Sequence, residues 1–285
     1  MTLGEIYKEG KNILKNANID NYSFDVMCII GHCFNLKRHN LSVQQNRTVS
    51  NSEKNNFFKL IEKRKNHYPL QYILGQCNFM GNEFKIGEGV LIPRDDTEVL
   101  VNTSTDILRG KENANVLDLC SGSGIVAISL AKKFKNTHFF SVELSNKAIS
   151  YLLSNIKTNH TKNVTPIKYD VLDSKLAIFR ELEYKFDLIV SNPPYINSND
   201  IITLQKEVQN EPKMALDGGE DGLVFYRAIA ENWIQLLKNN GSICVEIGMG
   251  QKDSVVDIFK RAGLKGVNSR KDINGIDRVV CATKY

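Results

Sequence analysis

The residues best suited to chemistry in this sequence are Asn192-Pro193-Pro194-Tyr195, which follow the apolar run in "FDLIVSNPPY". Proline fixes φ and has no N–H, so two in succession hold the carbonyls of a turn stiffly. The turn offers two acceptors, the Asn192 side-chain oxygen and the Pro193 carbonyl. Together they match the two hydrogens of a planar NH2 group. The nitrogen of an amide or aryl amine is a poor nucleophile because its lone pair is delocalised. Fixed acceptors orient it toward a methyl donor and favour the pyramidal, positively charging nitrogen of the transition state. No strong base is required, since the proton can leave after attack. Tyr195 offers a ring to cover the flat group. A stiffened loop with a capping asparagine would use the same residues, so the surroundings decide.

The first of those surroundings is "VLDLCSGSGIVAISLA", which sets Gly122 and Gly124 between a strand and its helix. Glycine permits the tight turn and a close ligand approach, and the helix N-terminus adds outward N–H groups. Glu143 ends the next strand, where an acid can accept both ribose hydroxyls of an adenosine. Taken alone, this pattern also fits a nicotinamide dinucleotide site. Asp118 opening the loop, and Cys120 where a pyrophosphate turn prefers glycine, point instead to S-adenosylmethionine, as does the Asn-Pro-Pro-Tyr turn. The cofactor residues expected are Asp118, Cys120, Ser121, Gly122, Ser123, Gly124, Glu143, Asp170, Val171 and Asn192. Asp170 would accept from the adenine amino group and Val171 would press on the ring, although Asp170 equally suits a helix cap.

These positions need a scaffold, and the chain supplies the pattern for one. After residue 112 strands and helices alternate: "NVLDLC", "GIVAISLAKKF", "THFFSVEL", "SNKAISYLLSNIKTN", "VTPIKYD", "KFDLIVS", "GLVFYRAIAENWIQLL", "GSICVEIG", "QKDSVVDIFKRAG" and "DRVVCATK". Such alternation predicts a parallel sheet covered by helices on both faces. The last strand follows "INGI" closely and is expected to run antiparallel. Residues 1–75 read as a small helical bundle, with Ser50 or Asn51 capping the helix that carries Phe57, Leu60 and Ile61. Between them, glycines at 75, 81, 87 and 89 and apolar residues at Phe84, Ile86, Val90 and Ile92 predict a β-hairpin connector. "DDTEVLVNTSTDIL" then reads as a helix with acids in its first turn. The organisation expected is 1–75 helical and substrate-docking, 76–95 hairpin linker, and 96–285 methyltransferase.

Composition excludes several classes. Of 285 residues, 42% are hydrophobic and 24% charged, as in a globular protein. No apolar run is long enough to span a membrane, and "MTLGEIYKEGKNILK" is an amphipathic helix rather than a signal peptide, so a cytoplasmic location is expected. Six scattered cysteines without a C-x-x-C pair read as buried reduced thiols. The five histidines lack ligand spacing, so no metal is expected. The net charge of +5 lies wholly in residues 1–75, which hold 11 Lys/Arg against 6 Asp/Glu. That excess suits solvated helix faces or docking to an acidic partner.

The assembled motifs resemble the peptide chain release factor N5-glutamine methyltransferase family, class I S-adenosylmethionine-dependent enzymes with an Asn-Pro-Pro-Tyr motif. "QYILG", "FMG", "LIPRDDTEVLV", "EPKMALDGGEDGL", "EIGMGQ" and "DINGIDRVV" extend the resemblance over nearly the whole chain. It implies an α/β fold: a doubly wound, mainly parallel seven-stranded Rossmann-like methyltransferase sheet with a small N-terminal all-α bundle and a β-hairpin connector. It implies methyl transfer from S-adenosylmethionine, leaving S-adenosylhomocysteine, to the glutamine amide of the Gly-Gly-Gln motif in class 1 release factors. Asn192, Pro193 and Tyr195 would be catalytic, and Asn192, Pro193, Pro194 and Tyr195 would hold the glutamine. A monomer with no nucleic-acid substrate is expected. The alternatives are a ribosomal-protein glutamine, an exocyclic amine of DNA or RNA, or a non-catalytic nucleotide-binding module. Cys120 stands where glycine is common in the family, Asp95 where proline is common, Glu143 where aspartate is usual, and Val171 where some members have an aromatic. Arg94, Thr97, Glu98 and Glu246 lie in family signatures without a chemistry legible from sequence.

Overall fold

Five strands of the sheet are short apolar runs buried on both faces, and their side chains alternate between two cores. The computed structural model describes residues 1–36, 40–176, 179 and 185–285. Strands β3 (Asn115–Leu119), β4 (His138–Glu143), β5 (Val164–Lys168), β6 (Phe186–Ser191), β7 (Leu237–Glu246), β8 (Lys265–Lys271) and β9 (Asp277–Thr283) form a seven-stranded sheet in the order β5-β4-β3-β6-β7-β9-β8. Strands β5 to β7 are parallel and β9 is antiparallel to both β7 and β8. This is the doubly wound architecture expected. Leu117, Ile189 and Ile243 face one core with Trp233, Tyr226 and Phe259, while Val116, Val190 and Cys244 face the other with Leu100, Ile128 and Leu152.

Strand β8 was absent from the strand pattern of the sequence. Its residues, "KGVNSRK", are polar and largely exposed because it is an edge strand paired on one side only. The run "GLVFYRAIAENWIQLL" is not one regular helix. An α-turn at Val224–Ala228 passes into a π-segment at Ile229–Trp233 and a 3₁₀ turn at Ile234–Leu236. The wider turn brings buried Trp233 against the sheet, where its Nε1 donates to the Val171 carbonyl at 2.9 Å.

The chain divides into two units, Met1–Gln76 with Gln205–Asn210, and Cys77–Leu204 with Glu211–Tyr285. In the first, α1 (Leu3–Asn16), α2 (Tyr22–Phe34), α3 (Asn40–Val43), α4 (Asn51–Lys65) and α5 (Leu70–Leu74) surround a core of Leu3, Ile6, Val26, Ile29, Phe57 and Ile61. Capping boxes start α1 at Thr2 and Glu5 and α4 at Ser50 and Glu53. Arg64, almost fully buried, bonds Asp25 at 2.6 Å and Glu207 at 2.5 Å.

The second unit begins at Cys77, within the hairpin of β1 (Gln76–Phe79) and β2 (Asn82–Lys85), which turns at Met80-Gly81, both with positive φ. Asn155 on α8 (Asn146–Thr158) clamps β2: its Oδ1 accepts from the Lys85 N–H at 2.6 Å and its Nδ2 donates to the carbonyls of Lys85 and Ser123. Helix α6 (Thr97–Leu108) follows the segment 86–96, and α7 (Ile125–Lys133) follows β3. All six cysteines are free, but only Cys244 and Cys281 are fully buried. Among the described residues no helix is long and apolar enough to cross a membrane, and no cluster could hold a metal ion.

Candidate active site

The sheet order reverses between β3 and β6, so the loops after β3 and β6 part at their carboxyl ends and leave a crevice. A cavity of about 480 Å³ occupies it. Asp118, Cys120, Ser121, Gly122, Ser123, Glu143, Asp170, Val171, Asn192 and Pro194 line this cavity; Gly124, Pro193 and Tyr195 are not among its lining residues.

On one side, the loop from Cys120 to Gly124 turns through three left-handed residues, Cys120 (φ 57°), Gly122 (φ 56°) and Gly124 (φ 84°). The Ser121 N–H donates to the Val142 carbonyl at 3.0 Å and the Gly124 N–H to the Ser121 carbonyl at 2.8 Å. The Glu143 carboxylate accepts from the Gly122 N–H and the Ser145 N–H, each at 2.8 Å. Those bonds fix the carboxylate while leaving lone pairs for hydroxyl donors. Asp118 is 1% exposed, and its Oδ2 accepts from the Ala127 N–H in the first turn of α7. Burial, with the nearby charge of Glu143, pushes its carboxyl up to about 8 despite that bond. Asp170 closes a turn onto the Leu172 N–H at 2.9 Å instead of capping a helix.

On the other side, Asn192 donates its Nδ2 to Thr97 Oγ1 at 3.1 Å. The Tyr195 hydroxyl donates to Glu246 Oε1 at 3.4 Å, and the Tyr195 carbonyl accepts from Gln251 Nε2 at 2.9 Å. Gln251 Oε1 in turn accepts from the Gly248 N–H and the Tyr226 hydroxyl, which also donates to the Glu246 carbonyl at 2.9 Å. Glu246 is 1% exposed. Burial pushes its carboxyl up to about 7, the negative charge of Asp96 adding to the rise, while hydrogen bonds from the Thr97 and Tyr195 hydroxyls and the charge of Arg278 oppose it.

The loop after the turn is tied beside it. Ile196 and Asp217 form a β-bridge, and the Gly218 N–H donates to the Ile196 carbonyl at 2.8 Å. Glu211 accepts from the Ile92 N–H at 2.9 Å and from the Arg94 guanidinium. The two signatures "LIPR" and "EPKMALDGG" are thus one clamp along the cavity wall.

Comparison with known proteins fits this geometry. The PrmC N-terminal domain matches residues 5–75 and the methyltransferase small domain matches residues 95–242. A release factor glutamine methyltransferase of Clostridium botulinum is 38% identical over 287 aligned positions, covering 100% of both chains. This chain belongs to that family. A second member, from Thermodesulfovibrio yellowstonii, is 38% identical over 93% of this chain and 95% of its own. A methyltransferase structure from Pyrococcus furiosus shares the fold at TM-score 0.52 and 17% identity, covering 72% of this chain and 90% of that one.

Membership makes the chain a methyltransferase; ten of the residues expected from sequence line the cavity, while the side chains that hold the Asn-Pro-Pro-Tyr turn had no role assigned. Thr97, Glu246, Gln251 and Tyr226 hold the Asn-Pro-Pro-Tyr turn, and Arg94 pairs with Glu211. Thr97 and Glu246 stood in recognised signatures, which was a usable signal. Gln251 likewise closed the signature "EIGMGQ", whereas nothing local marked Tyr226. Glu98 lies half-buried in the first turn of α6.

Proposed function

We propose that the chain methylates the side-chain amide nitrogen of the glutamine in the Gly-Gly-Gln motif of class 1 release factors, using S-adenosylmethionine. The observation that carries this reading is the common cavity: Asn192 lines the same space as Glu143 and the Cys120–Gly124 loop. Full-length similarity to release factor glutamine methyltransferases supports the choice of a glutamine over a nucleobase.

The donor and acceptor set suits the cofactor. Glu143, held by two backbone N–H groups, would accept the ribose hydroxyls. Asp170 and Val171 would receive the adenine edge and face. Asp118 and the residues through Gly124 would take the remainder. S-adenosylmethionine, when bound, supplies a methyl group made electrophilic by its sulfonium.

The chain's own residues act on the acceptor. Asn192 Oδ1 and the Pro193 carbonyl accept the two N–H bonds of the glutamine amide and turn its nitrogen lone pair toward the donor. As the nitrogen becomes positive, the same two acceptors stabilise it more than they do the planar ground state. The nitrogen sheds its proton once the new N–C bond exists. Pro194 walls the pocket, and Tyr195 anchors the turn from behind through Glu246. The helical unit, with the chain's basic excess, grips the release factor away from the glutamine.

The test is transfer of labelled methyl from S-adenosylmethionine to a purified class 1 release factor, with the modified residue located by mass spectrometry. The reading expects one methyl on the Gly-Gly-Gln glutamine. No incorporation, or label on nucleic acid instead, would sink it.

A further inference from the structure

We propose that Arg94 binds the main chain of the protein substrate: held by Glu211 on the cavity wall, its guanidinium donates to a backbone carbonyl beside the glutamine that is methylated. This rests on the glutamine reading above and deepens it by naming a second point at which the substrate is held.

A glutamine amide gripped only by Asn192 and Pro193 is fixed at its tip. The flexible stem and the main chain behind it keep their freedom, and ordering them opposes binding. A second hold on the main chain limits that motion. A Gly-Gly-Gln segment suits one well, because glycine has no side chain to cover its carbonyls.

Arg94 stands in the half of the cavity where such a hold is needed. It lines the same space as Asn192. Its carbonyl accepts from the Thr97 N–H at 3.1 Å, and Thr97 Oγ1 accepts from Asn192 Nδ2 at 3.1 Å. A single residue therefore joins Arg94 to the residue that grips the amide. Among the described residues Arg94 is the one Lys or Arg that lines this cavity.

Its guanidinium is held in place. Nη2 donates to Glu211 Oε1, and Glu211 Oε2 accepts from the Ile92 N–H at 2.9 Å. The Glu211 side chain is 2% exposed and that of Arg94 35%. A buried carboxylate thus fixes a cation that is open to the cavity. Pro93 and Pro212, each next to one partner in sequence, also line the cavity and stiffen the backbone on both sides. A guanidinium carries five N–H donors in a rigid fork. Among the described residues Glu211 is its one hydrogen-bond partner, so the remaining donors can meet a ligand.

The ion pair is neutral as a whole, which suits the partial charge of a carbonyl. A donor on the glutamine's own amide oxygen would draw the nitrogen lone pair into the carbonyl and slow attack. A main-chain carbonyl is the productive acceptor for that reason. It does not change during methyl transfer, so the contact strengthens binding without lowering the barrier from the bound state.

The experiment compares Arg94→Met, Arg94→Lys and the double variant Arg94→Met/Glu211→Gln with wild type on a full-length class 1 release factor at saturating S-adenosylmethionine. S-adenosylhomocysteine binding by calorimetry and thermal unfolding are measured on each. Arg94→Met removes every donor and should raise KM for the release factor about tenfold or more, with kcat and S-adenosylhomocysteine affinity each within about threefold of wild type. Arg94→Lys keeps the charge but loses the planar fork, and its KM should fall between the two. Arg94→Met also leaves the buried Glu211 without its ion pair, which lowers the unfolding temperature. The double variant removes that charge and should recover stability while keeping the raised KM. A KM that recovers with stability would make Arg94 a structural clamp and overturn the proposal. An unchanged KM would overturn it too, as would a tenfold loss of S-adenosylhomocysteine affinity, which would give the guanidinium to the cofactor's carboxylate. If wild type itself fails to methylate the factor, the glutamine reading fails and this inference with it; an active wild type with unchanged KM in the variants removes the Arg94 contact alone.

Discussion

The two turns that face each other across the cavity are held by different means. The turn after β3, Cys120–Gly124, is shaped by its own backbone: three left-handed residues, a short internal bond from Gly124 to Ser121, and the start of α7. The turn after β6, Asn192–Tyr195, has rigid prolines, but its working groups are aimed by side chains from Thr97, Glu246 and Gln251. A cofactor common to many enzymes can be bound by locally encoded backbone. A single amide that must face the right way requires partners from several parts of the chain.

Substitutions that strike one turn but not the other sharpen the contrast. Among positions outside the Asn-Pro-Pro-Tyr turn itself, the largest effect is expected at Gly218. A Cβ there would lie 2.7 Å from the Tyr195 Cα and 2.9 Å from the Pro194 carbonyl oxygen. These are backbone atoms and cannot rotate away. Gly218→Ala should lower turnover by about 100-fold, corresponding to roughly 3 kcal/mol, while S-adenosylhomocysteine affinity by calorimetry stays within about threefold. Equal loss of both would mean the turns are not independent.

Gly124→Ala should do the reverse. Its φ is 84°, and the new Cβ would lie 2.3 Å from Leu152 Cδ1. Leu152 can move aside, but the left-handed backbone costs about 1–2 kcal/mol in any case. S-adenosylhomocysteine affinity should fall about tenfold, with kcat at saturating cofactor changed by less than about threefold.

Glu246 gives a pH-dependent difference in stability. Burial lifts its carboxyl from the ordinary 4.5 to about 7, so between those values the folded protein holds a proton that the unfolded chain has released. The stability this group contributes is therefore present at acid pH and is lost as pH rises through about 7. Glu246→Gln, having no charge to bury, should gain on wild type between about pH 5 and pH 8, by on the order of 2 kcal/mol in denaturant unfolding. A difference independent of pH would show that the carboxylate is not carrying that burden.

The smallest effect belongs to Cys120→Gly. Relief of a left-handed residue stabilises by about 1 kcal/mol, and loss of a half-buried side chain offsets much of it. Unfolding should move by less than about 1 kcal/mol, with cofactor affinity within about twofold. A large loss of affinity would give the thiol a role in binding.

The same contrast explains what could be read in advance. Gly122, Gly124 and Glu143 were legible because a strand, glycines and an acid at the next strand's end are local demands on the backbone. Asn192 was legible because prolines after a strand are conspicuous. Thr97 and Gln251 stood in recognised signatures, but their roles were not legible, because a threonine at a helix start and a glutamine after a strand carry no local sign of whom they will meet. The polar edge strand β8 had no apolar period to reveal it. The π-segment at Ile229–Trp233 depends on Trp233 finding the Val171 carbonyl, a contact across 62 residues.

The most direct measurement is single-turnover methyl transfer to a release factor by Asn192→Ala, paired with S-adenosylhomocysteine binding to the same variant. If the Asn192 oxygen orients the glutamine amide, transfer should fall by about 1,000-fold or more while binding weakens only about threefold, since cofactor contacts are spread over several residues. Transfer near the wild-type rate, or a loss of binding that accounts for the whole defect, would contradict the account.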